Sequence, residues 1–297
     1  MKIRTRSSAF LLILLTGCVA AAPPVATAPA PAPAAAATGA PMVPGGMQWL
    51  YGSGEGAVAS IQTYRAFRDH ALAAARNRPR DSVILASGAT PAQPSFVPCG
   101  AKPLAVVLDV DETAILNIGY EYDEALKRRS YDPAIWDRWE KTGADKVLPL
   151  PGAVEALNAV RQAGIAVMFN TNRKAVNAAQ TEAAINGVGL GPAKHRENLF
   201  LSGDDATGSE KDGRRARIAD RYCVIAMAGD QLGDFSDHFN RKGLPVRERR
   251  MLASTGPIAR LWGAGWFMFS NPVYGPSIRG GFDDVFPPET RWTDPGQ

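Results

Sequence analysis

Asp109-Val110-Asp111-Glu112-Thr113 sets two carboxylates two residues apart, directly after an apolar run from Leu104 to Leu108. Near a strand end, side chains at that spacing point the same way. Crowded carboxylates repel, and at least one resists ionisation unless a cation intervenes. Three other chemistry-bearing groups sit in similar places. Asn170-Thr171-Asn172-Arg173 follows the apolar run 165–169, Lys211 opens a helical stretch, and Gly229-Asp230-Gln231-Leu232-Gly233-Asp234 follows the run 223–228. Taken singly, each group has a plain structural explanation: a helix cap after a strand, a solvated lysine, a Gly-Asp turn. Their order and their common position after buried runs are what single them out.

The elements that would position them follow from patterning. Short continuous apolar runs at 104–108, 165–169 and 223–228 predict strands buried on both faces. Shorter strands are predicted at 198–201 and 266–269. Helical spacing links Ile61, Tyr64, Phe67, Ala71 and Leu72 within 56–76, and Val154, Leu157 and Val160 between Pro151-Gly152 and Gly164. Further helices are predicted over 174–186 and 210–221. Alternating strands and helices imply an α/β fold, a parallel sheet covered on both faces. Ligands of such sheets bind beyond the carboxyl ends of the strands, so the four groups should meet there. About 60 residues separate the first two groups, too many for a plain loop. A small helical cap is expected from about 118–148, joined by about 47–80, over the mouth of the site. Such a cap suits small molecules rather than polymers.

Cys99 precedes one predicted strand and Cys223 opens another. If those strands are neighbours the two can pair, and two buried free thiols fit the residues equally well. His70, His195 and His238 show no metal-ligand spacing.

The 297 residues carry 33 bases and 29 acids, but Lys2, Arg4 and Arg6 precede Cys18, and without them 30 bases face 29 acids. That balance argues against a nucleic-acid polymer as partner, and Arg247, Arg249 and Arg250 fit a solvated helix face. Residues 1–17 have the form of an export signal: three bases, an apolar run from Ala9 to Leu15 too short to span a bilayer, then Leu15-Thr16-Gly17-Cys18. This ending resembles the lipobox of bacterial lipoproteins, which implies acylation of Cys18 and cleavage before it. Val19, in place of an acid, resembles outer-membrane sorting. The expectation is a lipoprotein of the cell envelope, on the outer membrane and facing the periplasm or the surface. Residues 18–46, rich in Ala and Pro, then form a tether, and 47–297 form the folded domain.

The four groups resemble the motifs of the haloacid dehalogenase (HAD) superfamily: Asp109-Val-Asp111-Glu-Thr113, Thr171, Lys211, and Asp230 with Asp234. The likeness is closer to one branch, the class C acid phosphatases, also called lipoprotein 5′-nucleotidases, and runs from about Trp49 to about Tyr274. Gly52-Ser-Gly-Glu55, Trp136-Asp-Arg-Trp139, Pro151-Gly-Ala-Val154, Thr171-Asn-Arg-Lys174 and Asn271-Pro-Val-Tyr-Gly275 carry it. Gln231 and Gly233 depart from the usual Asn and Asp, and 202–209 and 240–265 match poorly.

The resemblance implies a Rossmann-like HAD core with a small cap, and magnesium-dependent hydrolysis of small phosphate monoesters, nucleoside monophosphates foremost. A phosphate monoester dianion repels an approaching carboxylate, and Mg2+ offsets that repulsion. Asp109 is then the nucleophile and, with Asp230, a metal ligand. Asp111 is the general acid–base and gives its backbone carbonyl to the metal. Asp234 is a ligand or orients Lys211 or a water. Thr171 and Lys211 hold the phosphoryl oxygens. Trp136 and Tyr274 flank the base of a nucleotide, with Asn172 and Arg173 also on the substrate. Sugar phosphates or pyridoxal phosphate are the alternative substrates, and a non-catalytic binding lipoprotein is a more distant alternative. The oligomeric state, a dimer included, stays open.

Overall fold

The computed structural model describes residues 42–296. The export signal, Cys18 and the expected tether as far as residue 41 lie outside the described residues. The elements are α1 (Gly45–Met47), a π-helical turn (Gln48–Gly52), α2 (Gly54–Arg76), β1 (Asp81–Leu85), β2 (Phe96–Pro98), β3 (Leu104–Leu108), β4 (Ile115–Leu116), α3 (Ile118–Lys127), α4 (Pro133–Thr142), β5 (Leu148–Pro149), α5 (Ala153–Gln162), β6 (Ala166–Lys174), α6 (Ala178–Gly187), β7 (Leu199–Ser202), α7 (Asp212–Arg221), β8 (Cys223–Gly229), α8 (Val246–Ser254), β9 (Trp266–Met268) and α9 (Phe282–Val285).

Five strands form one parallel sheet in the order β7-β6-β3-β8-β9. Alternate side chains of β3 serve the two faces, as a strand's period of two requires. Val106 and Leu108 pack with Tyr64 and Phe67 of α2, Leu157 and Val160 of α5, and Ile185 of α6. Ala105 and Val107 pack on the other face with Ile218 of α7, Phe235 and Trp266. Burial on both faces is why these strands are continuous apolar runs.

Register brings the strand ends level. Leu108 lies opposite Phe169 of β6 and Ala228 of β8. One residue further on come Asp109, Asn170 and Gly229. β6 runs on to Lys174, five residues past the apolar run, because Lys174 still pairs with Ser202 of β7. The helix expected from 174 therefore starts only at Ala178, after a short 3₁₀ turn.

The expected cap is divided. The antiparallel pair β4–β5 closes the base of an insertion carrying α3 and α4, and these two helices line the cavity over the strand ends. Helix α2, expected beside them, lies instead on a face of the sheet, because its apolar stripe of Tyr64, Phe67 and Ala71 is buried in the main core. None of its residues lines the cavity. It supports the site from behind: the Tyr64 hydroxyl donates to the Thr113 carbonyl at 2.6 Å.

Cys99 and Cys223 form a disulfide across 124 positions, with Cα atoms 4.6 Å apart. It ties the end of β2 to the first residue of β8. Closing so long a loop restricts the unfolded chain strongly, so replacing both cysteines by alanine should lower stability by about 2–5 kcal/mol. Differential scanning calorimetry of the full chain should then show melting lower by roughly 5–15 °C. An unchanged melting temperature would show that the cross-link contributes nothing.

Candidate active site

The first loop after β3 is wound tightly. The amide N–H groups of Ala114 and Ile115 both donate to the Val110 carbonyl at 2.9 Å, and Glu112 takes a left-handed φ of 51°. Asp109 itself stays tied to the sheet, its N–H donating to Ala228 O at 3.0 Å. The β8 loop closes against it. A Cβ on Gly229 would lie 2.3 Å from the Asp234 Cβ, so only glycine lets Asp234 approach the strand end.

These loops bring Asp109, Asp230 and Asp234 together, with one carboxylate oxygen of each within 4.8 Å of the others. Lys211 Nζ donates to Asp109 Oδ1 and Asp234 Oδ1, both at 2.6 Å. Asp230 accepts from Thr113 Oγ1 at 3.0 Å, and its other oxygen accepts from Asn271 Nδ2 at 2.8 Å and Gln231 Nε2 at 3.1 Å. Burial, reinforced by Asp234, pushes Asp109 well above the usual carboxylate range, with Lys211 opposing. The same two causes push Asp230 up to about 7, against its bond from Asn271. Burial alone would lower the Lys211 ammonium, but Asp109 and Asp234 outweigh it and raise it. Three crowded carboxylates against one lysine leave an excess of negative charge that a cation would relieve. An all-oxygen donor set suits a hard divalent ion such as Mg2+.

Asp111 stands outside this trio. Its Oδ1 accepts from Arg173 Nε and Asn117 Nδ2, both at 2.9 Å, and Arg173 Nη2 lies 2.8 Å from the same oxygen. Arg173 and Thr171, both expected to contact the phosphate ester, are bonded to Asp111. Arg173 is only 2% exposed and lies behind Asp111, bonded also to Asn117 Oδ1 at 2.7 Å. The Thr171 hydroxyl is buried, donates to Asp111 Oδ2 at 3.3 Å and accepts from Arg173 N at 3.1 Å. Neither Arg173 nor Thr171 lines the cavity, whereas Asn172, Trp136 and Tyr274 do. Asn172 Oδ1 is held by Arg214 Nη2 at 2.7 Å. Trp136 Nε1 donates to Glu140 Oε1 at 2.7 Å, and its ring meets Tyr120 edge-on at 4.9 Å. The Tyr274 hydroxyl donates to Glu112 Oε2. The cavity measures about 510 Å³.

Several residues that matter were given no role by the sequence patterns. Glu112 is fully buried and accepts from nearby Asn117 and from Tyr51 and Tyr274, tying two distant segments to its loop. Burial and then Asp111 push it up to about 7, its bond from the Asn117 N–H opposing. Asp237 accepts the backbone N–H of Lys211 at 2.9 Å and of Asp212 at 2.6 Å, while Asp212 accepts the Asp237 N–H at 3.1 Å. This reciprocal clamp caps α7 from another loop and holds the Lys211 backbone. Arg215 locks the same junction, donating to Gly233 O and Asp234 O at 3.1 and 2.9 Å. Of these, only Glu112 lay inside a recognised motif. The others had no local signal, since their partners come from distant loops.

A carboxylate at a strand end, a lysine across it and two further acids at the next strand form one arrangement. Residues 61–277 match the model of the HAD superfamily, subfamily IIIB (acid phosphatase). The chain belongs to that family. The acid phosphatase resembles in fold the class C acid phosphatase from Bacillus anthracis, at 23% identity, with a TM-score of 0.62 over 77% of this chain and 84% of that one. A second structure of the Bacillus anthracis enzyme, with tungstate bound, matches to the same extent. The α/β architecture with five parallel strands is thus a HAD fold, and the phosphatase acts on phosphate monoesters.

Proposed function

We propose that this acid phosphatase is a magnesium-dependent enzyme for small phosphate monoesters, nucleoside monophosphates foremost, working through a phosphoaspartate on Asp109. The observation that carries this is the Asp109 carboxylate in the cavity wall, one oxygen held by Lys211 at 2.6 Å and the other left for bonding to phosphorus. Asp109, Asp230 and Asp234 would hold Mg2+, which when bound offsets the repulsion between carboxylate and phosphate dianion. Asp109 attacks phosphorus, the P–O bond to the leaving group breaks, and Asp111 protonates the departing oxygen. Asp111 then takes a proton from the water that attacks the phosphoaspartate, releasing phosphate. Arg173, Asn117 and Thr171 hold Asp111 in the orientation both steps need. Lys211 offsets negative charge on the phosphoryl oxygens and on Asp109. The tungstate in the Bacillus anthracis homologue, a tetrahedral oxyanion like phosphate, supports an oxyanion site of this kind. Trp136 and Tyr274, both on the cavity wall, support a flat leaving group such as a base.

The test is hydrolysis of p-nitrophenyl phosphate and a panel of nucleoside and non-nucleoside monophosphates, with EDTA and with Mg2+ restored. Activity indifferent to EDTA would end the metal assignment. A pH dependence accompanies it. Asp230 and Glu112 have native values near 7 against ordinary values of 3.8 and 4.5. The native protein therefore binds more protons than the unfolded chain between about pH 4 and 7. Their contribution to the stability of metal-free protein is present below pH 4 and lost as pH rises through 7. Because metal must displace protons, Mg2+ affinity should climb over the same window. Melting curves of EDTA-treated protein from pH 4 to 8, with and without Mg2+, check this; Mg2+ stabilisation independent of pH would refute it.

The chain is further proposed to be exported and lipidated on Cys18. A disulfide between buried cysteines supports an oxidising compartment. Cys18→Ala should abolish labelling by a palmitate analogue and release the protein from membranes, and labelling that survives the substitution would rule the anchor out.

A further inference from the structure

The cavity has two chemically different walls. The strand-end wall carries Lys211 and the clustered aspartates, and the wall from α3 and α4 is built of acids and rings. Most of the acids on that second wall are satisfied. Glu140 accepts from Trp136 Nε1, Lys174 N and Asn177 Nδ2. Glu124 Oε1 accepts from the Tyr120 hydroxyl at 2.5 Å.

Glu121 differs. It lines the cavity, is 3% exposed, and its Oε2 has no hydrogen-bond partner. No ion pair among the described residues engages it. A buried carboxyl oxygen without a partner is costly. Burial first, then Glu112 and Glu124, push this carboxyl up to about 9. Tyr120, Tyr131 and Trp136 stand on the same wall, and aromatic faces next to carboxylates are the usual surroundings of a bound ammonium group. Of the nearby cations, Lys174 is already paired with Asp137 at 3.0 Å, and Arg173, 5.8 Å from the centre of the Trp136 ring, with Asp111 at 2.8 Å.

We propose that Glu121 determines leaving-group specificity, its unpartnered oxygen and the α3–α4 rings selecting phosphate monoesters whose leaving group carries a positively charged nitrogen. This rests on the phosphatase function of the site and, among its small monoesters, ranks those with a cationic leaving group above those with a neutral nucleoside. The phosphoryl group lies toward Lys211 while the leaving group extends along the wall of α3 and α4. A cation arriving there supplies the charge that lets Glu121 ionise, and a second anionic group is repelled.

The test uses the full, Mg2+-loaded chain with choline phosphate and 3,3-dimethylbutyl phosphate, which share one shape and differ in charge. The wild type should favour choline phosphate by about tenfold in kcat/KM, carried by KM. In Glu121→Gln and Glu121→Leu that ratio should fall to near one. Equal kcat/KM values in the wild type would overturn the proposal, as would a ratio preserved in either folded variant. The wild-type comparison stands even if neither variant folds. p-Nitrophenyl phosphate separates the two ideas: no hydrolysis of it removes the phosphatase function, while hydrolysis without charge preference removes only the role of Glu121.

Discussion

Asp109→Asn should lose at least about a thousandfold in kcat, roughly 4 kcal/mol of barrier at 1.36 kcal/mol per decade, while folding normally. The amide keeps the shape of the carboxylate but cannot form an acyl phosphate as a carboxylate does. Folding should survive because the substitution puts a neutral amide where three carboxylates crowd together. Lys211 keeps Asp234 as a partner at 2.6 Å, so no unpaired cation is left. The metal-free variant should melt no lower than the wild type. Steady-state hydrolysis of p-nitrophenyl phosphate, acid-quench trapping of phosphoprotein and circular dichroism together check this. Retention of a tenth of wild-type turnover, or phosphoprotein trapped in the variant, would place the nucleophile elsewhere.

Lys211→Met should cost both activity and stability, which distinguishes it from the first variant. Lys211 is 4% exposed and is the cation bonded to both Asp109 and Asp234. Removing one partner of a buried ion pair leaves the other charges uncompensated, at about 3–5 kcal/mol. Loss of a preorganised donor to the phosphoryl oxygens should lower kcat by about 100- to 1000-fold. Added Mg2+ should recover much of the stability but little of the activity, because it restores positive charge among the aspartates without restoring the donor. Chemical denaturation with and without Mg2+, beside kcat, separates the two effects. A variant as stable as the wild type without metal would mean that the lysine does not offset the aspartates.

Much of this arrangement was legible in the chain itself. The runs at 104–108, 165–169 and 223–228 announce strands because burial on both faces demands apolar residues without alternation. Their parallel order follows from the helices between them, and the strand-end rule by itself places Asp109, Lys211, Asp230 and Asp234 together. Helical spacing identifies α2 as amphipathic. It does not say which surface accepts the apolar stripe, and packing put it on the sheet rather than over the cavity.

The chain alone determined which chemistry is present: acids, a lysine and a hydroxyl at the ends of buried strands, all encoded locally by residue type and spacing. Tertiary structure decided who meets whom. It turned Arg173 and Thr171 toward Asp111, clamped Lys211 through Asp237, joined Cys99 to Cys223 and, among the described residues, left Glu121 Oε2 without a partner. Those pairings depend on side chains from segments tens of residues apart arriving at one place, and the periodicity of a single segment reports only which of its sides is buried.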